Sequence, residues 1–96
     1  MNLKELCLNN NKIQNVQELS GLVGLTELYL GDNEINDLSA FKQLVNLKTL
    51  KLHNNKIQNI QELSGLVGLI HLYLDNNKIE DFTPICNLVL LQTLYT

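Results

Sequence analysis

The chain has 96 residues, enough for one small domain that buries about two-thirds of its unfolded surface. Seven lysines and no arginine stand against ten acidic residues, for a net charge of −3. That balance excludes a phosphate-gripping surface and, with it, a nucleic-acid partner. No run reaches the roughly 20 apolar residues of a membrane span, and MNLKELCLNN lacks the apolar stretch of a signal peptide, so no membrane partner is expected. Two cysteines do not make a disulfide framework; a reducing compartment is the default and the cytoplasm the favoured location.

Taken in chain order, the same element recurs every 22 residues. Units at 3–24, 25–46, 47–68 and 69–90 align without a gap, and 91–96 begins a fifth. Each opens with leucines such as Leu25, Leu28 and Leu30. The last two alternate with polar residues at the period of a short strand with one buried face. An invariant asparagine follows, Asn11, Asn33, Asn55 and Asn77, suited to satisfying backbone groups in a turn that lacks ladder partners. Then come apolar residues at a strict spacing of three: Ile35, Leu38, Phe41 and Leu44 in the second unit. Three residues per turn predicts a 3₁₀-like return rather than a regular α-helix. Ser39 before Ala40 and Thr83 before Pro84 are expected to be N-caps. Asn15, Asp37, Asn59 and Asp81 are expected to support the return much as the asparagine ladder supports the turn. Val23, Val45, Val67 and Val89 form an eighth apolar column, counted with the core.

The strings LKELCLNNNKI, LTELYLGDNEI, LKTLKLHNNKI and LIHLYLDNNKI resemble the leucine-rich repeat pattern L-x-x-L-x-L-x-x-N-x-L. The period and the three-residue spacing of the return are similar to two subgroups, the protein phosphatase-1 regulatory-subunit type and the bacterial internalin type. DLSAF and DFTPI look particularly like internalin returns. The resemblance implies an α/β solenoid: a right-handed coil with a concave parallel sheet, one short strand per repeat, and 3₁₀ or irregular convex returns. It also implies use in protein–protein recognition. A one-dimensional stack follows independently, because no single repeat can bury its own apolar face. Neither end carries a polar capping segment, so the chain reads as part of a longer array, with self-association through its ends as an expectation.

Three columns of the strands should point away from the core. They hold Glu5, Glu27, Thr49, His71 and Thr93; then Cys7, Tyr29, Lys51, Tyr73 and Tyr95; then Asn9, Gly31, His53 and Asp75. Cys7 and His53 would lie roughly 12 Å apart and His53 and His71 roughly 14 Å, too far for a thiol–imidazole dyad or a shared metal. His53 neighbours Asp75 across one strand spacing, but that pair alone is neither a zinc site nor a triad. No catalytic residue, cofactor or metal is expected. The first and third repeats differ only at Glu5/Thr49, Cys7/Lys51, Asn9/His53 and Val16/Ile60, so three of the changes fall on the outward face. The candidate contact patch is therefore Tyr29, Lys51 and Tyr73, with Thr49, His53 and Asp75 as a polar rim and Tyr95 extending the column. The expected function is a module that binds a protein or peptide on this face. The alternative is a spacer or assembly segment of a longer repeat protein with no specific face of its own.

Overall fold

A computed structural model describes residues 3–96. Five three-residue strands, β1 (Glu5–Cys7), β2 (Glu27–Tyr29), β3 (Thr49–Lys51), β4 (His71–Tyr73) and β5 (Thr93–Tyr95), alternate with 3₁₀ segments at Gln17–Leu19, Ser39–Gln43, Gln61–Gly65 and Thr83–Ile85. All strands are parallel and ordered β1-β2-β3-β4-β5. The register places each residue beside its equivalent in the next repeat, as in Leu6↔Leu28 and Leu50↔Leu72. One repeat is thus one turn of a solenoid measuring 36 × 29 × 20 Å.

The core is the set of leucine and isoleucine columns. Leu28, Leu50 and Leu72 in the strands, and Phe41, Leu44, Leu63 and Leu66 in the returns, are fully buried. At the two ends the same columns are only partly covered: Leu3, Leu6 and Leu8 on one side, Leu91 on the other. A layer packed on one side only cannot exclude water.

Between strand and return, the asparagine ladder does the work the chain's spacing implied. Asn33 Nδ2 donates to the carbonyls of Leu8 and Leu30, and its Oδ1 accepts from the amides of Asn11 and Ile13. Asn33, Asn55 and Asn77 each tie their own turn to the preceding one, whereas the Asn11 side chain, among the described residues, bonds only within its own turn. The residue before it, Asn10, Asp32, Asn54 or Asn76, has φ between 57° and 64°. Asn and Asp tolerate this left-handed conformation better than other side chains, which explains a polar column the spacing of leucines does not.

Two expectations need correction. Ser39 and Thr83 are not N-caps: each is the first 3₁₀ residue, and the residues before them, Leu38 and Phe82, make no side-chain cap bond. The capping oxygen comes from two residues upstream. Asp37 and Asp81 accept the amides of Ser39 and Thr83, and Asn15 and Asn59 accept those of Gln17 and Gln61. The support expected from that column is present, as an Asx turn. The valine column is not core. Val23, Val45, Val67 and Val89 are 50–84% exposed, because each directly follows a leucine that already points inward.

Candidate functional site

The outer face of the sheet is built from the strand positions that the core does not use. Because the register is exact from turn to turn, Tyr29, Lys51, Tyr73 and Tyr95 fall side by side on β2, β3, β4 and β5. Lys51 Nζ lies 5.1 Å from the Tyr29 ring centroid and 4.9 Å from that of Tyr73. The ammonium is held between two rings, each contact worth about 0.5–1 kcal/mol at an exposed site. Tyr73 and Tyr95 stack with centroids 4.8 Å apart and planes tilted by 33°. The four side chains form one continuous ladder.

Tyr29 is anchored from below its own column. Its hydroxyl donates to Glu27, two residues back and therefore on the same face. That bond to a carboxylate, then partial burial, then the charges of Glu27 and Glu5, push the phenol up to about 12. Glu27 was not among the residues the sequence pointed to as contacts; its position two before Tyr29 was the available signal.

The rim behaves differently from its sequence reading. His53 leans back over the preceding turn, where Gly31 leaves room: a Cβ there would overlap the imidazole. The carboxylate near it is therefore that of Asp32, 3.9 Å from Nε2, and not only the neighbour expected at Asp75. His53 also meets Tyr73 edge-on at 6.3 Å, and its buried Nδ1 has no hydrogen-bond partner. Lys51, His53, Tyr73, Asp75 and Tyr95 together line an open concavity of about 360 Å³. Thr49 sits on the opposite side of the ladder, in register with Glu27 and His71. His71 Nδ1 is 2.9 Å from Thr93 Oγ1.

Among the described residues, no group of three His, Cys, Asp or Glu side chains could hold a metal ion, and no helix is long and apolar enough to cross a membrane. Cys7 and Cys86 are both free and exposed.

A family model described as leucine-rich repeats in two copies matches residues 2–43 and 45–87. The chain belongs to the leucine-rich repeat family. Its structural neighbours include internalins of Listeria monocytogenes. Internalin C2 is 40% identical with a TM-score of 0.95 over 97% of this chain and 41% of its own. The functional domain of InlJ, which includes a cysteine ladder, is 30% identical with a TM-score of 0.89 over 96% of this chain and 20% of its own. The plant peptide hormone receptor RGFR1, in complex with RGF2, shares the fold at 23% identity with a TM-score of 0.82, over 98% of this chain and 16% of its own. The chain thus spans less than half the length of each. No match was found among curated protein sequences. The resemblance to the internalin type is borne out for the chain as a whole, and the family's general use is protein–protein interaction.

Proposed function

We propose that the chain binds a protein or peptide partner on the concave face of its sheet, with Tyr29, Lys51, Tyr73 and Tyr95 as the central contact and Thr49, His53 and Asp75 as the rim. The observation that carries this reading is the ladder itself. Four side chains on four adjacent strands are already held in mutual contact, so little side-chain freedom remains to be lost on binding. Tyrosine is also a rigid, amphipathic contact surface, enriched in interfaces.

The test is a peptide library panned on the wild-type chain, with the selected binders re-measured on Tyr29→Ser/Tyr73→Ser. Affinity should fall at least about tenfold, or about 1.4 kcal/mol, while circular dichroism stays unchanged. Binders that keep their affinity for this variant, and lose it on Gln17→Ala/Gln61→Ala, would place the contact on the returns and defeat the reading.

One observation favours the second reading, assembly through the ends. Leu90, Leu94 and Tyr95 are 45–55% exposed, and the outer edge of β5 has no strand beside it among the described residues. Such edges pair with other chains unless covered. Sedimentation equilibrium at high concentration decides: association that Leu94→Lys abolishes supports assembly, and a strict monomer removes it.

A further inference from the structure

The concave face is not uniform along the coil. At the β1–β2 end, Glu5 and Glu27 stand beside each other in register. Among the described residues, neither pairs with a lysine. The one lysine in the three outward columns, Lys51, is held between Tyr29 and Tyr73. At the β4–β5 end the equivalents of the glutamates are His71 and Thr93, bonded to each other, beside the stacked rings of Tyr73 and Tyr95. One end thus offers unneutralised negative charge and the other an apolar platform.

Building on the concave-face reading above, we infer that the partner contributes an extended segment carrying an arginine or lysine four residues from an aromatic or large aliphatic residue. The cation sits over Glu5 and Glu27, and the apolar side chain sits on Tyr73 and Tyr95. The spacing follows from the lattice. The midpoint of β1 and β2 is three strand spacings from the midpoint of β4 and β5, about 14 Å, and the glutamates lie two residues, about 7 Å, along the strand from the tyrosine column. The two contact points are therefore about 16 Å apart, a gap that the length of an arginine side chain closes from a backbone step of about 13 Å. An extended chain advances about 3.3 Å per residue, so residues four apart lie about 13 Å from each other, with both side chains on one face because the alternation has period two. The strands are only three residues long, so the face is about 10 Å wide, room for one extended chain lying across them. An arginine suits the acidic end better than a lysine, since its planar fork can engage carboxylates in pairs.

The test is a titration of the ¹⁵N-labelled chain with acetylated, amidated synthetic peptides. The first carries arginine and tryptophan separated by three serines. A second replaces arginine by glutamate, a third has one intervening serine, and a fourth is a helix-forming peptide with the pair eleven residues apart, on one helix face and about 16 Å from each other. The first should shift amides of both β1–β2 and β4–β5. It should bind about fivefold or more tightly than the second and the third. In Glu5→Lys/Glu27→Lys the preference between the first and second peptides should invert. Equal binding of the arginine and glutamate peptides, with shifts on β4–β5 alone, would overturn this inference and leave the concave-face reading standing. Tighter binding by the helical peptide would overturn the extended geometry. Shifts confined to the returns, or none at millimolar peptide, would overturn both.

Discussion

Replacing Asn55 by alanine tests whether the ladder, rather than the leucines alone, holds the coil together. Asn55 is 8% exposed. Its Oδ1 accepts the Ile35 amide at 3.0 Å, and its Nδ2 donates to the carbonyls of Leu30, Leu52 and His53 at 3.0–3.2 Å. The loss is not four orphaned groups. Leu30 O keeps a bond from Asn33, Leu52 O one from Asn77, and His53 O one from the Asp32 amide. Only the buried Ile35 amide loses its partner, at about 1–3 kcal/mol, and the three shared donations add roughly 0.5–1 kcal/mol each. The sum is about 2.5–6 kcal/mol, a large share of the 5–15 kcal/mol of an ordinary domain. Asn11→Ala is the matched control. Asn11 is exposed, donates to Leu8 O and Asn9 O, and leaves Leu8 O with Asn33, so it should cost about 1 kcal/mol or less. Urea unfolding followed by circular dichroism measures both, with equal slopes certifying a common transition. If the two variants differ by less than about 1 kcal/mol, the sharing of carbonyls between turns is not what stabilises the coil.

Three further outcomes follow from other parts of the molecule. Gly31→Ala should force the His53 ring off its seat and cost about 1–2 kcal/mol, and His53→Ala in the same chain should recover most of that; a double variant no better than the single one would show the clash lies elsewhere. Asp37 and Asp81 sit below the ordinary 3.8 because they accept the amides, and then the hydroxyls, of Ser39 and Thr83. Depressed carboxylates stabilise the fold above 3.8 and lose that contribution as pH falls through their folded values, so Asp37→Asn/Asp81→Asn should flatten the acid limb of urea midpoint against pH. An unchanged limb would show that other groups drive acid unfolding. Tyr29 carries the opposite sign: its phenol lies above the ordinary 10.0, so its contribution holds below 10.0 and fades as pH rises toward about 12. Absorbance titration should find a phenolate transition near 12 that moves down in Glu27→Gln; a transition that stays put would mean the Glu27 bond is not its cause.

What was legible in the sequence is what the 22-residue period dictates. Once equivalent leucines repeat without a gap, each turn must stack on the last in register, so parallel order and the Tyr29–Lys51–Tyr73 column follow from arithmetic alone. The 3₁₀ returns were legible because a spacing of three matches their pitch. The valine column was not, since composition cannot tell which of two consecutive apolar residues turns inward. The support of the return by Asp37 was legible as a column, but not that its carboxylate caps the first 3₁₀ amide, because Ser39 two residues later offered the same chemistry.

The rim was illegible for a different reason. Alternation says which face a side chain leaves from, and nothing about which neighbour it then leans on. Gly31 lies between two repeats that are otherwise nearly identical: Asn9 Oδ1 accepts the Gly31 amide at 2.8 Å from one side, while His53 packs over Gly31 from the other. The same column thus carries a hydrogen bond in one turn and a seated ring in another. The coil is unchanged by the exchange, because the bonds of Asn33 and Asn55 tie the turns together whatever residue stands in the outward column. Apart from the bond of Asn9 to the Gly31 amide, framework and face use different side chains in this fold. That separation is why substitutions such as Cys7/Lys51 and Asn9/His53 can alter what the surface offers without altering how the turns stack.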